Sequence, residues 1–432
     1  MRRLYITVFM AFTLVASCVV ILASLALGAW WWQRSARFQP DTPPGRLLVL
    51  DFDGHIRTMR PDGSDVRTLT EDDPHGLFRQ EPMWSPDGRW VAWVSEYPEH
   101  DGYSPALSIA RADGSDRHDV LLPAVPVYLA WRPTSDAIAV LLPDDVSGLS
   151  LVLIDRENGD KRVLSRGQPF YFDWSPDGRE LLAHIDRRLV LLDMQGHEAM
   201  LAHTEGRFAA PDWSDDGQLW AYAVLSAESP RLVIRDRNQR TTSRVSEFDG
   251  RITFAFSPDG TQIAYIPTAP SSTLPTLGPL WLLNRQAGVL REVSAAPVLA
   301  FFWSPDGRTL AFLRYEVDEH PPPPTAPETG LQRVLWQTPA TVWFRWHIWD
   351  GERTYPTAAR FRPGGVYASE YVRFFDQYAR TTQFWSPDGR AFVFAGEVEG
   401  ERNGIWVQPV GESAPPRWVG TGHVAFWSPH GD

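Results

Sequence analysis

A turn motif that recurs along the chain constrains the fold more than any other feature of the sequence. The residues FWSPDGR stand at positions 302–308 and again, unchanged, at 384–390. Close variants begin at Met83, Asp173 and Asp212. Proline restricts the backbone, aspartate bonds the local backbone and glycine accepts a left-handed conformation, so the motif predicts a tight turn between two strands.

The aromatic residue that precedes each turn gives the length of the repeat. Successive residues of this kind are 47, 43, 39, 43, 47, 82 and 42 positions apart. A period of about 40–50 residues with four short strands per unit is typical of the blades of a β-propeller. These residues, which we call the marker aromatics, are Trp84, Trp131, Trp174, Trp213, Phe256, Trp303, Trp385 and Trp427.

The segment after each turn has the pattern of a strand that is buried on both faces. WVAWVS, QIAYIP, TLAFLR and AFVFAG are apolar at nearly every position. Strands covered on both sides show this pattern, as expected for a blade packed between two neighbours. The marker aromatic has the size to fill the gap between blades.

The two ends of the repeat region predict how the ring closes. Residues 46–70 hold three strands without a first one, whereas HVAFWSPHGD at the C-terminus resembles a first strand without the others. Pairing the two ends completes a blade and hides two sheet edges. The 82-residue step fits one blade with insertions, because the turn-like FRPGG at 361–365 leaves too few residues before Trp385 for three further strands. We therefore predict an all-β, eight-bladed β-propeller over residues 46–432, with seven blades as the fallback.

The recurrent WSPDG motif followed by a strand such as IAY or LAF resembles the TolB-like β-propeller repeats, which also occur in propellers attached to prolyl peptidases. The resemblance covers residues 46–432 and implies the fold; a shared fold does not by itself imply a shared function. TolB carries a separate N-terminal domain, and this sequence has an apolar segment in its place. The peptidases carry a hydrolase domain after the propeller, and this sequence ends at Asp432.

The N-terminal segment predicts a membrane anchor. Residues 4–32 contain no charged side chain. As a helix, a segment of this length can span a bilayer core of about 30 Å. AWWWQR at 29–34 supplies the aromatic residues expected at a membrane interface. A cleaved signal peptide, with ALG at 26–28 as its cleavage site, is the alternative, but its apolar region is usually only about 7–15 residues long. We predict an uncleaved transmembrane anchor at residues 1–33.

The only cysteine and the flanking charges bear on how this anchor is arranged. VASC at 15–18 resembles a bacterial lipobox, so lipid attachment to Cys18 is an alternative to an ordinary small residue within a membrane helix. A single cysteine cannot form an intramolecular disulfide. Arg2 and Arg3 before the segment favour a cytoplasmic N-terminus and a propeller on the extracytoplasmic side. The polar, proline-rich residues 34–45 predict a semi-rigid linker.

Charge and motifs exclude several classes of function. The net charge is −12 and no cluster of Lys and Arg occurs, which argues against a nucleic-acid partner. The sequence lacks the G-x-S-x-G elbow of serine hydrolases and the paired-histidine spacing of zinc sites. DFDG at 51–54 and the aspartates of the repeated turns are interpreted as turn formers. We therefore predict no catalytic residue, no metal site and no cofactor.

Two inserts interrupt the repeat and are the places where binding is expected. The first, at residues 317–340, is proline-rich, and the second, at 362–383, places aromatic residues at helical spacing. These rings either pack onto the propeller or bind a partner. The candidate partner-binding residues are Tyr367, Tyr371, Phe374, Phe375 and Tyr378.

The sequence thus predicts a single-pass, membrane-tethered β-propeller that serves as a binding or assembly module for a protein partner or another ligand. An enzyme that uses the central channel of the propeller is the alternative, and three or more His, Asp or Glu side chains converging there would favour it. A third possibility is an accessory subunit of an envelope transporter.

Overall fold

The computed structural model describes residues 42–71, 77–99, 102–203, 209–224, 230–238, 242–272, 274–318 and 341–431. The predicted anchor at residues 1–33 therefore lies outside the described residues, as does most of the linker. Within the described ranges, no helix has the length and apolar character needed to cross a membrane.

The described part of the chain is almost entirely β-structure. Its strands pair antiparallel into six four-stranded sheets and one seven-stranded sheet. In five of the four-stranded sheets, strands that are consecutive in sequence are neighbours in space, as expected when tight turns connect short strands. The all-β prediction is confirmed, and the succession of four-stranded sheets is that of a β-propeller.

The first sheet joins the two ends of the propeller sequence. It contains Leu47–Leu50 (β1), Ile56–Met59 (β2), Arg67–Thr68 (β3) and, from the C-terminus, Val424–Trp427 (β31). β31 pairs antiparallel with β1, so that Leu47 lies opposite Trp427 and Leu50 opposite Val424. The pairing predicted from the sequence is therefore present, and it satisfies backbone groups that a free edge would leave exposed.

Five further four-stranded sheets follow along the chain. The second contains Phe78–Trp84 (β4), Trp90–Glu99 (β5), Gly102–Arg111 (β6) and His118–Leu121 (β7). The third contains Tyr128–Trp131 (β8), Ala137–Asp144 (β9), Gly148–Asp155 (β10) and Lys161–Arg166 (β11). The fourth contains Phe170–Trp174 (β12), Glu180–Ile185 (β13), Arg188–Asp193 (β14) and Glu198–His203 (β15).

The next two sheets complete this series. The fifth contains Asp212–Trp213 (β16), Leu219–Val224 (β17), Arg231–Asp236 (β18) and Thr242–Glu247 (β19). The sixth contains Arg251–Phe256 (β20), Gln262–Thr268 (β21), Gly278–Asn284 (β22) and Val289–Val298 (β23). In the second to sixth sheets the central residues of the second strand are buried, as the apolar runs after the turns predict.

The last sheet has seven strands. They are Ala300–Trp303 (β24), Leu310–Asp318 (β25), Thr341–Trp349 (β26), Thr354–Pro363 (β27), Ala391–Val398 (β28), Asn403–Pro409 (β29) and Arg417–Gly420 (β30). Trp385 forms an isolated bridge to Phe392 in β28. The first predicted insert is shorter at its start than expected, because β25 continues to Asp318; residues 319–340 lie outside the described part of the chain.

The repeated motif forms the same turn in the six copies that carry both its serine and its aspartate. In its first copy the Ser85 hydroxyl donates to Asp87, and the Gly88 N–H donates to the Ser85 carbonyl at 2.9 Å. Gly88 has a φ of 68°, a left-handed conformation that favours glycine. The same serine-to-aspartate bond recurs at Ser175, Ser214, Ser257, Ser304 and Ser386. These serines and aspartates are turn formers, as the sequence indicates.

The second insert folds into two short helical segments. Tyr367–Val372 is a π-helix (π1), and Phe375–Tyr378 is a four-residue α-helix (α1). Both lie between β27 and the inner strand segment around Trp385. β27 extends to Pro363, so the first two residues of the predicted insert belong to a strand.

Candidate functional site in the central channel

The inner strands of the repeats surround one cavity of about 700 Å³. Residues of β4, β8, β12, β16, β20, β24 and β31 all line it, and residues 384–385 complete the wall. A β-propeller has its central channel at this position. The repeat therefore places the residues around each marker aromatic at the centre of the molecule.

The second insert fills one end of this channel. Its contacts are with residues that precede the marker aromatics, among them Glu81 in β4, Tyr128 in β8 and Phe426 in β31. The prolines that follow the marker aromatics, such as Pro86 and Pro176, line the other end of the cavity. The channel is thus a pit with an open mouth among the turns and a floor made by the insert; we call it the central pit.

One side of the pit consists of aromatic rings. We call this side the aromatic wall and define it as Phe301, Phe302, Phe384 and Phe426. The Phe375 ring of the insert lies 5.1 Å from that of Phe301, centroid to centroid. Tyr371 lies 4.9 Å from Phe426 by the same measure. These edge-to-face and tilted pairs are favourable arrangements for aromatic side chains.

The candidate partner-binding residues are mostly buried in this contact. Relative exposure is 1% for Tyr367, 2% for Tyr371, 1% for Phe375 and 4% for Tyr378, whereas Phe374 is half-buried. Their rings contact side chains of several inner strands, including β24 and β31. This arrangement is the one expected if the rings pack onto the propeller; binding of a partner through them stays a prediction.

A buried carboxyl group fixes the end of α1. The Tyr378 hydroxyl donates to Glu81 Oε1 at 2.7 Å, and the Tyr128 hydroxyl donates to the Gln377 carbonyl at 3.0 Å. Glu81 stands at an irregularity of β4 and has a φ of 53°. Burial raises the pKa of Glu81 to about 7, since its charged form loses hydration.

The opposite side of the pit carries carboxylates, and we call it the acidic wall: Asp173 in β12, Asp212 in β16 and Asp376 in α1. Arg380 of the insert lies among them. Its Nε is 3.3 Å from Asp212 Oδ1. One of its terminal nitrogens donates to the Pro211 carbonyl and the other to the Phe254 carbonyl at 3.4 Å. The guanidinium therefore connects the insert to two adjacent inner strands.

Two aspartates of the acidic wall also hold neighbouring repeats together. Asp173 Oδ2 accepts a bond from the Trp213 backbone N–H at 2.8 Å, and Asp212 Oδ2 accepts one from the Phe256 N–H at 2.6 Å. Each carboxylate thus bonds the inner strand of the next repeat. Burial raises the pKa of Asp173 to about 7, although Arg380 opposes the shift. Burial likewise raises the pKa of Asp212.

Sequence reasoning missed the acidic wall, although a signal was present. Asp173 and Asp212 stand immediately before their marker aromatics, where Phe302, Phe384 and Phe426 stand in the copies of the aromatic wall. The shared residues of the motif form turns, whereas the residue that differs between copies, just before the marker aromatic, faces the channel. Among the residues that the structure describes, no group of three or more His, Cys, Asp or Glu has an arrangement that could hold a metal ion.

The fold and the pit define a β-propeller whose channel is closed at one end by its own insert. No protein-family model matches the chain. An uncharacterized protein of Agrobacterium fabrum is 29% identical over 165 residues, which cover 36% of this chain and 54% of that protein. The chain thus matches about half the length of this curated relative.

Solved structures of similar fold include several β-propellers. The structure of a eukaryotic initiation factor superposes with a TM-score of 0.52 at 11% identity, covering 89% of this chain and 98% of that one. TolB from Agrobacterium tumefaciens has a TM-score of 0.36 at 18% identity, covering 61% and 95%. An oligogalacturonate lyase in complex with manganese has a TM-score of 0.45 at 12% identity, covering 88% and 85%. At such identities the likeness concerns the fold alone.

Proposed function

We propose that the chain is a membrane-tethered, extracytoplasmic β-propeller that binds a ligand or a protein partner at the open mouth of its central pit. The observation that carries this proposal is the closure of the channel by residues of the same chain. The insert makes a floor, so the pit is a concave site with one entrance. Pits of about 300–1,000 Å³ with apolar walls and a few polar groups are typical binding sites.

We propose eight blades. β24–β27 form the four strands of one blade, and residues 384–385 with β28, β29 and β30 form those of the next. The long β27 pairs with β28 from Phe361 to Pro363, which joins these two blades into the seven-stranded sheet. Together with the six four-stranded sheets this gives eight, which agrees with the number of marker aromatics.

The proposed tether has a direct test. If residues 4–32 form an uncleaved anchor, the mature protein keeps Met1–Arg3, and protease added outside intact cells digests the propeller. N-terminal sequencing and protease protection measure these two properties. A product that begins near Ala29, or a lipid on Cys18, would contradict the uncleaved anchor while leaving the propeller's binding function open.

Binding itself is tested by capture from solubilised membranes. We expect the full chain, purified in detergent and used as bait after chemical crosslinking in cells, to retain a defined partner or small molecule. An envelope transporter is one such partner. The matched control is a bait whose pit mouth is blocked by Pro176→Trp. Retention of the same molecule by both baits would contradict the pit as the binding site.

An enzyme in the channel is the second candidate, because three aspartates do converge in the pit. The raised pKa of Asp173, about 7, is also what a general acid requires at neutral pH. We favour binding because the Asp173 and Asp212 carboxylates already accept backbone N–H groups and face Arg380. Incubation of the full chain with envelope extracts tests the alternative by mass spectrometry: a metabolite consumed by the wild type but not by Asp173→Asn would favour the enzyme.

A further inference from the structure

Among the described residues, the exposed aromatic side chains all lie at the end of the propeller that the insert closes, which we call the floor end. They are Phe52, Phe78, Tyr103 and Tyr315, with exposed fractions of 40%, 56%, 62% and 38%. The first lies in the turn after β1, the second begins β4, the third lies near the tip of the β5–β6 hairpin, and the fourth lies where β25 extends beyond β24. Single exposed apolar side chains are common on protein surfaces, but several aromatic ones at one end indicate an interaction surface.

Two of these rings continue a buried face of the second sheet. The register of β4, β5 and β6 places Phe78 and Tyr103 on the same face as Val94 and Leu107, because alternate residues of a strand share a face. Val94 and Leu107 are buried in a cluster to which β8 and β9 of the third sheet also contribute. Towards the floor end the face leaves this cluster, and there Tyr103 lies opposite the exposed Pro98. The same apolar face is therefore covered in the middle of the propeller and uncovered at its floor end.

We call the uncovered part the apolar patch and define it as Phe78, Pro98 and Tyr103. These side chains have few rotatable bonds, so a partner that packs on them restricts little side-chain motion. Exposed tyrosine side chains are among those that contribute most to binding at protein interfaces. The composition of the patch is thus suited to binding and serves no packing purpose within the described chain.

Carboxylates without a cation border the apolar patch. Glu96 lies on the same face, and Glu99 lies at the tip of the hairpin. Glu96 accepts a hydrogen bond from the Gln80 amide at 3.2 Å, but neither glutamate forms an ion pair within the described part of the chain. Arg79 alternates with Phe78 in β4 and so lies on the other face, where it donates to the Gly54 carbonyl at 2.8 Å. The patch therefore combines apolar rings with uncompensated negative charge.

We propose that the apolar patch binds a basic segment of another polypeptide, in which Lys or Arg side chains flank apolar ones. The apolar side chains of the segment pack on Phe78 and Tyr103, and its cations approach Glu96 and Glu99. The apolar patch lies at the opposite end of the propeller from the pit mouth, so this inference goes beyond the proposed function and does not depend on it.

Charge and area favour this occupant over a membrane surface or a second copy of the chain. Surfaces that lie on anionic lipids carry Lys and Arg, whereas the apolar patch presents carboxylates. A twofold contact between two copies would bring the same carboxylates together. Three side chains also offer much less than the roughly 800 Å² per partner that a stable dimer buries. A short basic segment is consistent with both the charge and the size of the patch.

The occupant is identified by photo-crosslinking in the cells that produce the full chain. Benzoylphenylalanine replaces Tyr103 in one variant and Tyr315, an exposed ring of another sheet at the same end, in the control. We expect position 103, but not position 315, to give an adduct whose crosslinked segment, sequenced by mass spectrometry, has more Lys and Arg than Asp and Glu. An adduct with a second copy, a phospholipid or an acidic segment, the same adduct from both positions, or no adduct would overturn the proposal.

The chemistry of the contact is tested with the crosslinked segment, synthesised as a fluorescent peptide and titrated onto the full chain in detergent. We expect Tyr103→Ser to weaken binding at least tenfold, because the exposed ring is lost. We expect the double variant Glu96→Gln and Glu99→Gln to weaken it about tenfold at low salt and less at high salt, where charges are screened. Glu292→Gln, on an exposed strand of the sixth sheet, is the matched control and is expected to leave the affinity unchanged. Equal affinity in the double variant and the wild type would overturn the basic partner.

The two binding surfaces are separable by variants at opposite ends of the propeller. We expect Pro176→Trp, which blocks the pit mouth, to leave the affinity for the peptide unchanged. Loss of peptide binding in Pro176→Trp, together with full binding in Tyr103→Ser, would overturn the apolar patch as the binding site. Failure to capture a partner at the pit mouth, with peptide binding that depends on Tyr103, would contradict the proposed function and support the apolar patch.

Discussion

The aromatic wall and the acidic wall hold the same insert in the same channel by different physical means. On the aromatic wall, Tyr371 and Phe375 bury rings against rings, which stabilises the fold through apolar burial and does not depend on pH. On the acidic wall, Arg380 enters a group of desolvated carboxylates, where attraction is set against the cost of removing charges from water.

This difference indicates that the two walls contribute differently to the stability and the orientation of the insert. Because four rings of the insert are buried, we expect apolar burial to supply most of the free energy that keeps it in the channel. A buried ion pair contributes little net stability compared with an apolar contact of the same size, but it is costly to break from one side. We therefore expect the acidic wall to fix the orientation of the insert and to make the stability of the fold depend on pH.

The largest expected effect comes from the aromatic wall. The double variant Tyr371→Ser and Phe375→Ser is expected to lower the free energy of unfolding by at least about 5 kcal/mol, because two buried rings are removed from a tight cluster. Urea unfolding of the full chain in detergent, followed by tryptophan fluorescence, measures it. Val146→Ser, at a side chain that is 97% exposed, is the control. A loss below about 1 kcal/mol together with loss of a captured partner would instead support the partner-binding interpretation of these rings.

The next largest effect comes from the cation of the acidic wall. Arg380→Met is expected to lower the free energy of unfolding by about 3–5 kcal/mol at pH 8, because buried carboxylates lose their cation. The loss is expected to be smaller at pH 5, where the carboxyl groups bind protons. Arg166→Met, which removes an exposed ion pair, is expected to cost less than about 1 kcal/mol. Equal losses at the two pH values would contradict the assignment.

A smaller effect concerns the pH dependence of the wild type. The pKa of Asp173 is about 7 in the folded protein and near 4 in the unfolded chain, so the folded state binds more protons between these values. Stability is therefore highest below the unfolded pKa and falls as pH rises through the folded pKa. Asp173→Asn is expected to make this fall shallower by up to about 1.4 kcal/mol per pH unit, the value for one proton. Unfolding free energies measured from pH 4 to pH 8 test it, and an unchanged slope would show that Asp173 does not titrate in this range.

The smallest effect compares two marker aromatics, of which Trp385 follows a residue of the aromatic wall and Trp174 a residue of the acidic wall. Trp385→Phe removes an indole N–H that donates to the Phe302 carbonyl, whereas Trp174→Phe removes one without an acceptor among the described residues. Because the lost ring area is similar, we expect Trp385→Phe to cost about 1 kcal/mol more. Thermal unfolding of the two variants in parallel measures the difference, and the reverse order would mean that the Trp174 indole has a partner of its own.

The repeat made most of the fold predictable. The turn residues require particular backbone conformations, and the runs after them, such as the one at Trp90, require burial on both faces; both constraints act locally and recur. The pairing of β1 with β31 could be inferred because residues 46–70 hold three strands of a blade and the C-terminus holds the missing first strand. Successive blades bury the same kinds of surface, so one recognised copy predicts the others.

The site was less predictable because it depends on where the insert goes. Spacing identified the rings of Tyr371 and Phe375 as one set, but the strands they would contact are far away in sequence. Arg380 lies at the end of the same insert, and nothing local distinguishes it from an exposed arginine. Only its proximity to Asp173 and Asp212 in space gives Arg380 a role. The sequence signal for that role is the presence of Asp, in place of Phe, immediately before two of the marker aromatics.

The chain compensates its own acidic wall through Arg380, and a double-mutant cycle between Arg380→Gln and Asp212→Asn measures this compensation. The two side chains approach to 3.3 Å, and Asn at position 212 keeps an acceptor for the Phe256 N–H. We expect a coupling free energy of about 2–3 kcal/mol at pH 8, since Arg380→Gln leaves the Asp212 carboxylate buried without its cation, a cost that is absent when position 212 is already Asn. Additive losses, with a coupling below about 0.5 kcal/mol, would contradict the claim that the insert is held to the acidic wall by this pair.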